Sequence, residues 1–142
     1  MKFERLAKEE NKIFDRLNSP TKVQDYLDLI KFNKGNTIMS PQMVLKRKKA
    51  QCFEGALFAS AVFWHHGQKP LIMDLTTVKD DDYHMIALFK KFGHWGAISK
   101  TTHGVLRYRE PVYKNVRELA MSYFHEYFKT MEEKLCVAIQ NQ

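Results

Sequence analysis

Apolar residues recur at helical spacing at both ends of this chain and alternate through its middle. Phe3, Leu6, Ile13, Phe14 and Leu17 fall on one helical stripe. Asn18-Ser19-Pro20 interrupts it, with Ser19 suited to a helix N-cap and Pro20 to the first helical position. Val23, Tyr26, Leu27 and Ile30 supply the stripe of a second helix, and Asn33 to Pro41 reads as a loop. From Cys52 to Phe63 the residues are apolar on most sides, which predicts a buried helix starting near Gln51 and capped by Gly67. The pattern then changes period. Pro70 to Thr77 reads as a strand, Asp80-Asp81-Asp82 as a polar turn, and Tyr83 to Phe89 as a second strand. Phe92-Gly93 fits a two-residue hairpin turn into a strand over Trp95 to Ser99, and Val105 to Tyr108 adds another. Helical spacing returns with Val112, Val116, Leu119, Ala120, Tyr123, Phe124 and Tyr127.

Helices, then strands, then a helix predict an α+β fold. Its centre is an antiparallel β-sheet packed against the buried helix that bears Cys52, with flanking N- and C-terminal helices. No repeat or linker divides the chain, so residues 1–142 are expected to form one domain. With 44% apolar and 27% charged residues, a disordered, collagen-like or low-complexity chain is excluded.

The two cysteines, Cys52 and Cys136, form neither a disulfide framework nor a Cys-x-x-Cys pair, which fits a reducing compartment. The N-terminus is charged throughout, unlike a signal peptide, and the longest mostly apolar stretch, Gly55 to Trp64, is too short to span a bilayer. A soluble cytoplasmic protein with no membrane association is expected. The net charge of +7 is dispersed except at Lys46-Arg47-Lys48-Lys49. No aromatic residues interleave with that run, so nucleic acid is not the expected partner.

Candidate chemistry centres on Cys52. A helix N-terminus offers free N–H groups and partial positive charge, both of which favour thiolate, the nucleophilic form. The basic run just before it acts in the same direction. His84 is the best-placed base among six histidines, because it lies on a predicted strand, where His84, Ile86 and Leu88 face one way and Tyr83, Met85 and Ala87 the other. A two-residue turn at Phe92-Gly93 places Lys91 opposite His94 and, by counting back, His84 opposite Thr101 with Ser99 diagonal to it. His65-His66 point to different sides of a helix, and His84, His94, His103 and Cys52 have no zinc-site spacing, so no metal is expected.

These residues resemble the transglutaminase-like superfamily, with its papain-like cysteine protease fold. The likeness rests on Cys52-Phe53-Glu54-Gly55-Ala56 opening a helix, Tyr83-His84-Met85-Ile86-Ala87 on a strand, and the hairpin Gly93-His94-Trp95. It covers roughly residues 51 to 100. The resemblance implies a third triad member four residues after Trp95, where the family has an acid and this chain has Ser99. Serine orients an imidazole but does not balance its charge. Another acid therefore substitutes, a Cys–His dyad suffices, or activity has been lost. Asp74 on the preceding strand is the leading substitute, followed by Asp82. The Cys52 N–H would form an oxyanion hole, with the Gln51 amide as a second donor, and Trp95 lies where it can line a substrate cleft.

The resulting expectation is a thiol-dependent acyl transferase or hydrolase of the cysteine peptidase, amidase or transglutaminase-like kind. It would act without a cofactor on a peptide, amide or ester. The alternative is a catalytically inactive protein-interaction module on the same fold, motivated by the missing acid.

Overall fold

The structure, a computed structural model, describes residues 6–77, 83–123 and 137–139. Phe3, the Asp80-Asp81-Asp82 turn, Cys136 and the C-terminal stripe at Phe124 and Tyr127 lie outside the described residues. Helices α1 (Lys8–Arg16) and α2 (Pro20–Leu29) follow the expected stripes, and Ser19 accepts a hydrogen bond from the Lys22 N–H as an N-cap. A strand β1 (Lys31–Phe32) leads into the loop, which ends at a third helix, α3 (Pro41–Arg47). This helix starts on the same signature as α2, with Ser40 accepting from the Met43 N–H and Pro41 at the first position. The strand β2 (Lys49–Ala50) pairs in parallel with β1.

Helix α4 (Cys52–His65) is the buried helix anticipated from its apolar surroundings. One side meets Phe14, Val23, Leu27 and Val44 of the other helices; the opposite side meets Ala87, Phe89 and Ile98 of the sheet. Its terminal His65 and His66 fasten α1. His65 Nε2 lies 2.7 Å from Asp15 Oδ1, and His66 Nε2 donates to the Phe14 carbonyl at 2.8 Å.

The strands β3 (Leu71–Thr77), β4 (Tyr83–Lys91), β5 (His94–Ile98), β6 (Arg109–Tyr113) and β7 (Val137–Ile139) form an antiparallel sheet in the order β6-β5-β4-β3-β7. The hairpin register places Lys91 opposite His94, as the turn predicts. Both turn residues have positive φ, Phe92 at 52° and Gly93 at 78°, the hallmark of a type I′ turn. Beyond β5 the expected strand at Val105 to Tyr108 is a 3-10 turn over Gly104–Leu106, and pairing resumes only at β6. Val112 is therefore a strand residue. Helix α5 (Val116–Met121) begins later than its apolar spacing suggests, at the Asn115 N-cap. Leu119, Ala120 and Tyr123 then cover the second face of the sheet, packing with Met73, Leu75, Ile86, Leu88, Ala97 and Leu106. The sheet is thus sandwiched, with α1–α4 on one face and α5 with Leu106 on the other, while Lys100, Arg107 and Tyr108 of the intervening segment reach back to the helical layer.

Polar groups join the layers. The fully buried Glu54 carboxylate accepts hydrogen bonds from Asn33 Nδ2, Thr37 Oγ1 and the backbone N–H groups of Met39 and Gln51. These donors hold its pKa below the usual carboxylate range against the opposing effect of burial. Lys100 Nζ donates to the Leu27 and Ile30 carbonyls at the end of α2. Its stem passes so close to Gly55 that a Cβ there would lie 2.4 Å from Lys100 Cβ.

Glu54→Gln should cost about 3 kcal/mol at neutral pH by urea unfolding, because buried donors lose their acceptor. A lowered native pKa stabilises above the unfolded value and is lost as pH falls through the native one. The gap between parent and variant should therefore close in acid. Phe92→Asn should raise the unfolding free energy by up to about 1 kcal/mol, since asparagine adopts positive φ readily; a lower melting temperature in that variant would contradict the turn geometry.

Candidate functional site

The start of α4 is built by Gln51 and Glu54. Gln51 Oε1 accepts from the Phe53 N–H at 2.9 Å, while Glu54 Oε1 accepts from the Gln51 N–H at 2.9 Å. This reciprocal capping satisfies N-terminal donors that a helix otherwise leaves open. Gln51 Nε2 in turn donates to the Thr37 carbonyl. Both ends of the amide expected at an oxyanion hole are thus committed to holding the helix and the loop before it.

Cys52 occupies the first position of α4, half-buried. Burial pushes its thiol pKa up; hydrogen bonding to the backbone at Met85, Phe53 and Cys52 itself pulls the other way, and the negative charge of Asp74 raises it further. Asp74 lies directly across from Met85 on β3, so both side chains project toward α4. Its Oδ1 is buried without a hydrogen-bond partner among the described residues, and burial raises the carboxyl pKa. The structure therefore brings Asp74 to Cys52.

His84 lies elsewhere. It pairs with Leu75 and shares the face of Ile86 and Leu88, the face covered by α5 and Leu106. Cys52 contacts the Met85 backbone from the α4 side. The expected Cys52–His84 pair is not formed, because adjacent residues of one strand point to opposite faces. Asp74 does not orient His84 either, since it too faces α4.

His84 is 4% exposed, and its Nε2 lies 3.4 Å from the Leu106 carbonyl. Burial lowers its pKa to about 4, a trend that the Leu106 contact opposes and the charges of His103 and Arg109 reinforce. It is neutral at physiological pH, and a carbonyl accepts only from a protonated Nε2.

Ser99 does share the face of His84, but both reach the same third group: Ser99 Oγ donates to the Leu106 carbonyl at 2.5 Å. The β4–β5 ladder ends at Ala87 and Ile98, so the pairing of His84 with Thr101 does not form. The Ser99 backbone is gripped by Gln24, which accepts from its N–H at 3.1 Å and donates to its carbonyl at 2.9 Å. Trp95 pairs with Lys90, six residues along β4 from His84, about 20 Å at strand rise. It packs at the hairpin end under Lys90 Nζ, 5.2 Å above its ring, rather than beside Cys52. Gln24, Glu54 and Lys100 organise this region. Gln24 sits within the apolar stripe between Val23 and Leu27, the one sequence signal that marks its burial.

Among the described residues no group of three or more His, Cys, Asp or Glu is placed to hold a metal ion, and no helix is long and apolar enough to cross a membrane. No protein-family model matches the chain, and no significant match to a curated protein is found.

A buried histidine that stays neutral makes stability depend on pH. Between the ordinary value of 6.5 and about 4 the unfolded chain takes up a proton that folded His84 refuses. Unfolding free energy should therefore fall by up to about 3 kcal/mol across that window and not rise again below it. His84→Gln should flatten this slope in a urea titration series; an undiminished slope would show that His84 is not the group responsible.

Proposed function

We propose that this chain is a non-catalytic protein-interaction domain. The observation that carries the reading is the placement of Cys52 and His84 on opposite faces of the central sheet. A nucleophile needs a base within hydrogen-bond reach, and strand alternation denies Cys52 this one. The electrostatics agree: the thiol pKa is raised rather than lowered, so the neutral thiol predominates at physiological pH. In terms of the transglutaminase-like resemblance, the chain keeps the helix-and-hairpin frame while the chemistry is absent.

A second reading is thiol-dependent acyl transfer or hydrolysis of an amide or ester. Its support is Cys52 at the first position of α4 beside Asp74. In that reading Asp74 would take the thiol proton. A carboxylate is a weak base toward a thiol of raised pKa, and its charge opposes formation of thiolate, so this reading ranks second.

The pH dependence of Cys52 alkylation separates them, measured with Cys136 replaced by Ser. The non-catalytic reading expects an apparent pKa above the ordinary thiol value, unchanged in His84→Ala and lowered in Asp74→Asn. A low apparent pKa that rises when His84 is lost would establish a working Cys–His pair and overturn the proposal.

A further inference from the structure

A concentration of positive charge lies just upstream of Cys52. Lys46 and Arg47 close α3, Lys48 is its C-cap, and Lys49 opens β2. The parallel pairing of β1 with β2 sets Lys31 directly beside Lys49. None of these five cations makes an ion pair among the described residues. Asp28, three residues before Lys31, is bonded to Arg107 and Gln24, and Glu54 is saturated by its own donors.

The arrangement carries two local costs. Like charges side by side on neighbouring strands repel. Lys48 also adopts the left-handed conformation at φ 51°, where glycine is the favoured residue and a lysine is strained. The backbone uses both: Lys48 closes α3 on the Val44 carbonyl and its own carbonyl accepts from the Lys31 N–H. The side-chain charges, by contrast, meet no acid among the described residues, and Lys31, Lys46, Arg47 and Lys48 are exposed, which points to a use for that charge outside the chain.

We propose that this basic ledge docks an acidic, leucine-bearing segment of a partner protein. Charge complementarity sets the sign of the partner, and two exposed aliphatic residues set its character. Leu29, 85% exposed, lies two residues before Lys31. Ile38, 72% exposed, follows Thr37, whose carbonyl is bonded by Gln51, two residues after Lys49. A single-stranded nucleic acid would gain from exposed aromatic rings, and any nucleic acid would leave these aliphatic side chains unused. An acidic segment with aliphatic residues engages both features. The inference names the partner and surface of the proposed interaction domain, and rests on that reading.

Fluorescence anisotropy with labelled peptides tests it at low ionic strength. The probes are a glutamate peptide interrupted by leucines, its all-glutamate counterpart, and a poly(U) strand of equal formal charge. The leucine-bearing peptide should bind tightest. Lys31→Glu with Lys48→Glu and Lys49→Glu should weaken it by about tenfold or more. Leu29→Ser with Ile38→Ser should reduce it to the affinity of the all-glutamate peptide. Lys48→Gly, which relieves backbone strain, should weaken binding severalfold while raising the melting temperature.

Tighter binding of poly(U), indifference to the lysine substitutions, or no binding of the leucine-bearing peptide would each overturn the docking surface. The Cys52 titration judges the non-catalytic reading separately. A raised thiol pKa together with failed peptide binding discards this surface alone.

Discussion

Successive side chains of β4 leave the sheet in opposite directions, and the arrangement of the candidate site follows from that pleat. Met85, Ala87 and Phe89 meet the layer of α4, whereas His84, Ile86 and Leu88 face α5 and Leu106. A group presented to one layer is hidden from the other by the thickness of the sheet. Cys52 consequently lives in the company of Asp74, and His84 in that of Leu106 and Ser99. Burial keeps both the Cys52 thiol and the His84 imidazole neutral, prevailing over the backbone hydrogen bonds that favour their charged forms.

The same economy governs the beginning of α4. Free N–H groups at a helix start can stabilise a developing anion, but only while they remain free. Here Gln51 accepts from Phe53, and the Glu54 carboxylate gathers the Gln51 N–H together with donors from the preceding loop. The end of the helix is thus finished as a structural joint. As acceptor, the Glu54 carboxylate ties Asn33, Thr37 and Met39 to the core.

Much of this architecture was legible in the sequence. The Ser19-Pro20 start of α2, the apolar run of α4 and the Phe92-Gly93 turn each carry a local physical signature, and the hairpin register followed from the turn. The Ser40-Pro41 start of α3 carried the same signature as α2, but lay at the end of a stretch polar enough to read as loop. Proline at position 111 and the late Asn115 cap moved the strand and helix boundaries beyond the apolar spacing. The face of the sheet that α4 covers was not legible. Both faces of β4 are apolar, so period two separates His84 from Met85 without saying which one meets Cys52. That choice is made by long-range contacts: Asp74 opposite Met85, Leu106 over His84, and Gln24 reaching from α2 to Ser99.

The grip of Gln24 on Ser99 has a consequence for how the molecule comes apart. A side-chain amide exchanging two hydrogen bonds with one backbone residue reproduces the bonding of a β-bridge, so α2 is sewn to the end of β5 as another strand would be. One residue further, Lys100 reaches back to the carbonyls at the end of the same helix. Peeling the helical layer from the sheet would strand buried donors and acceptors on both sides at once. The helices and the sheet therefore have no inexpensive way to open separately, and the two layers behave as one cooperative unit.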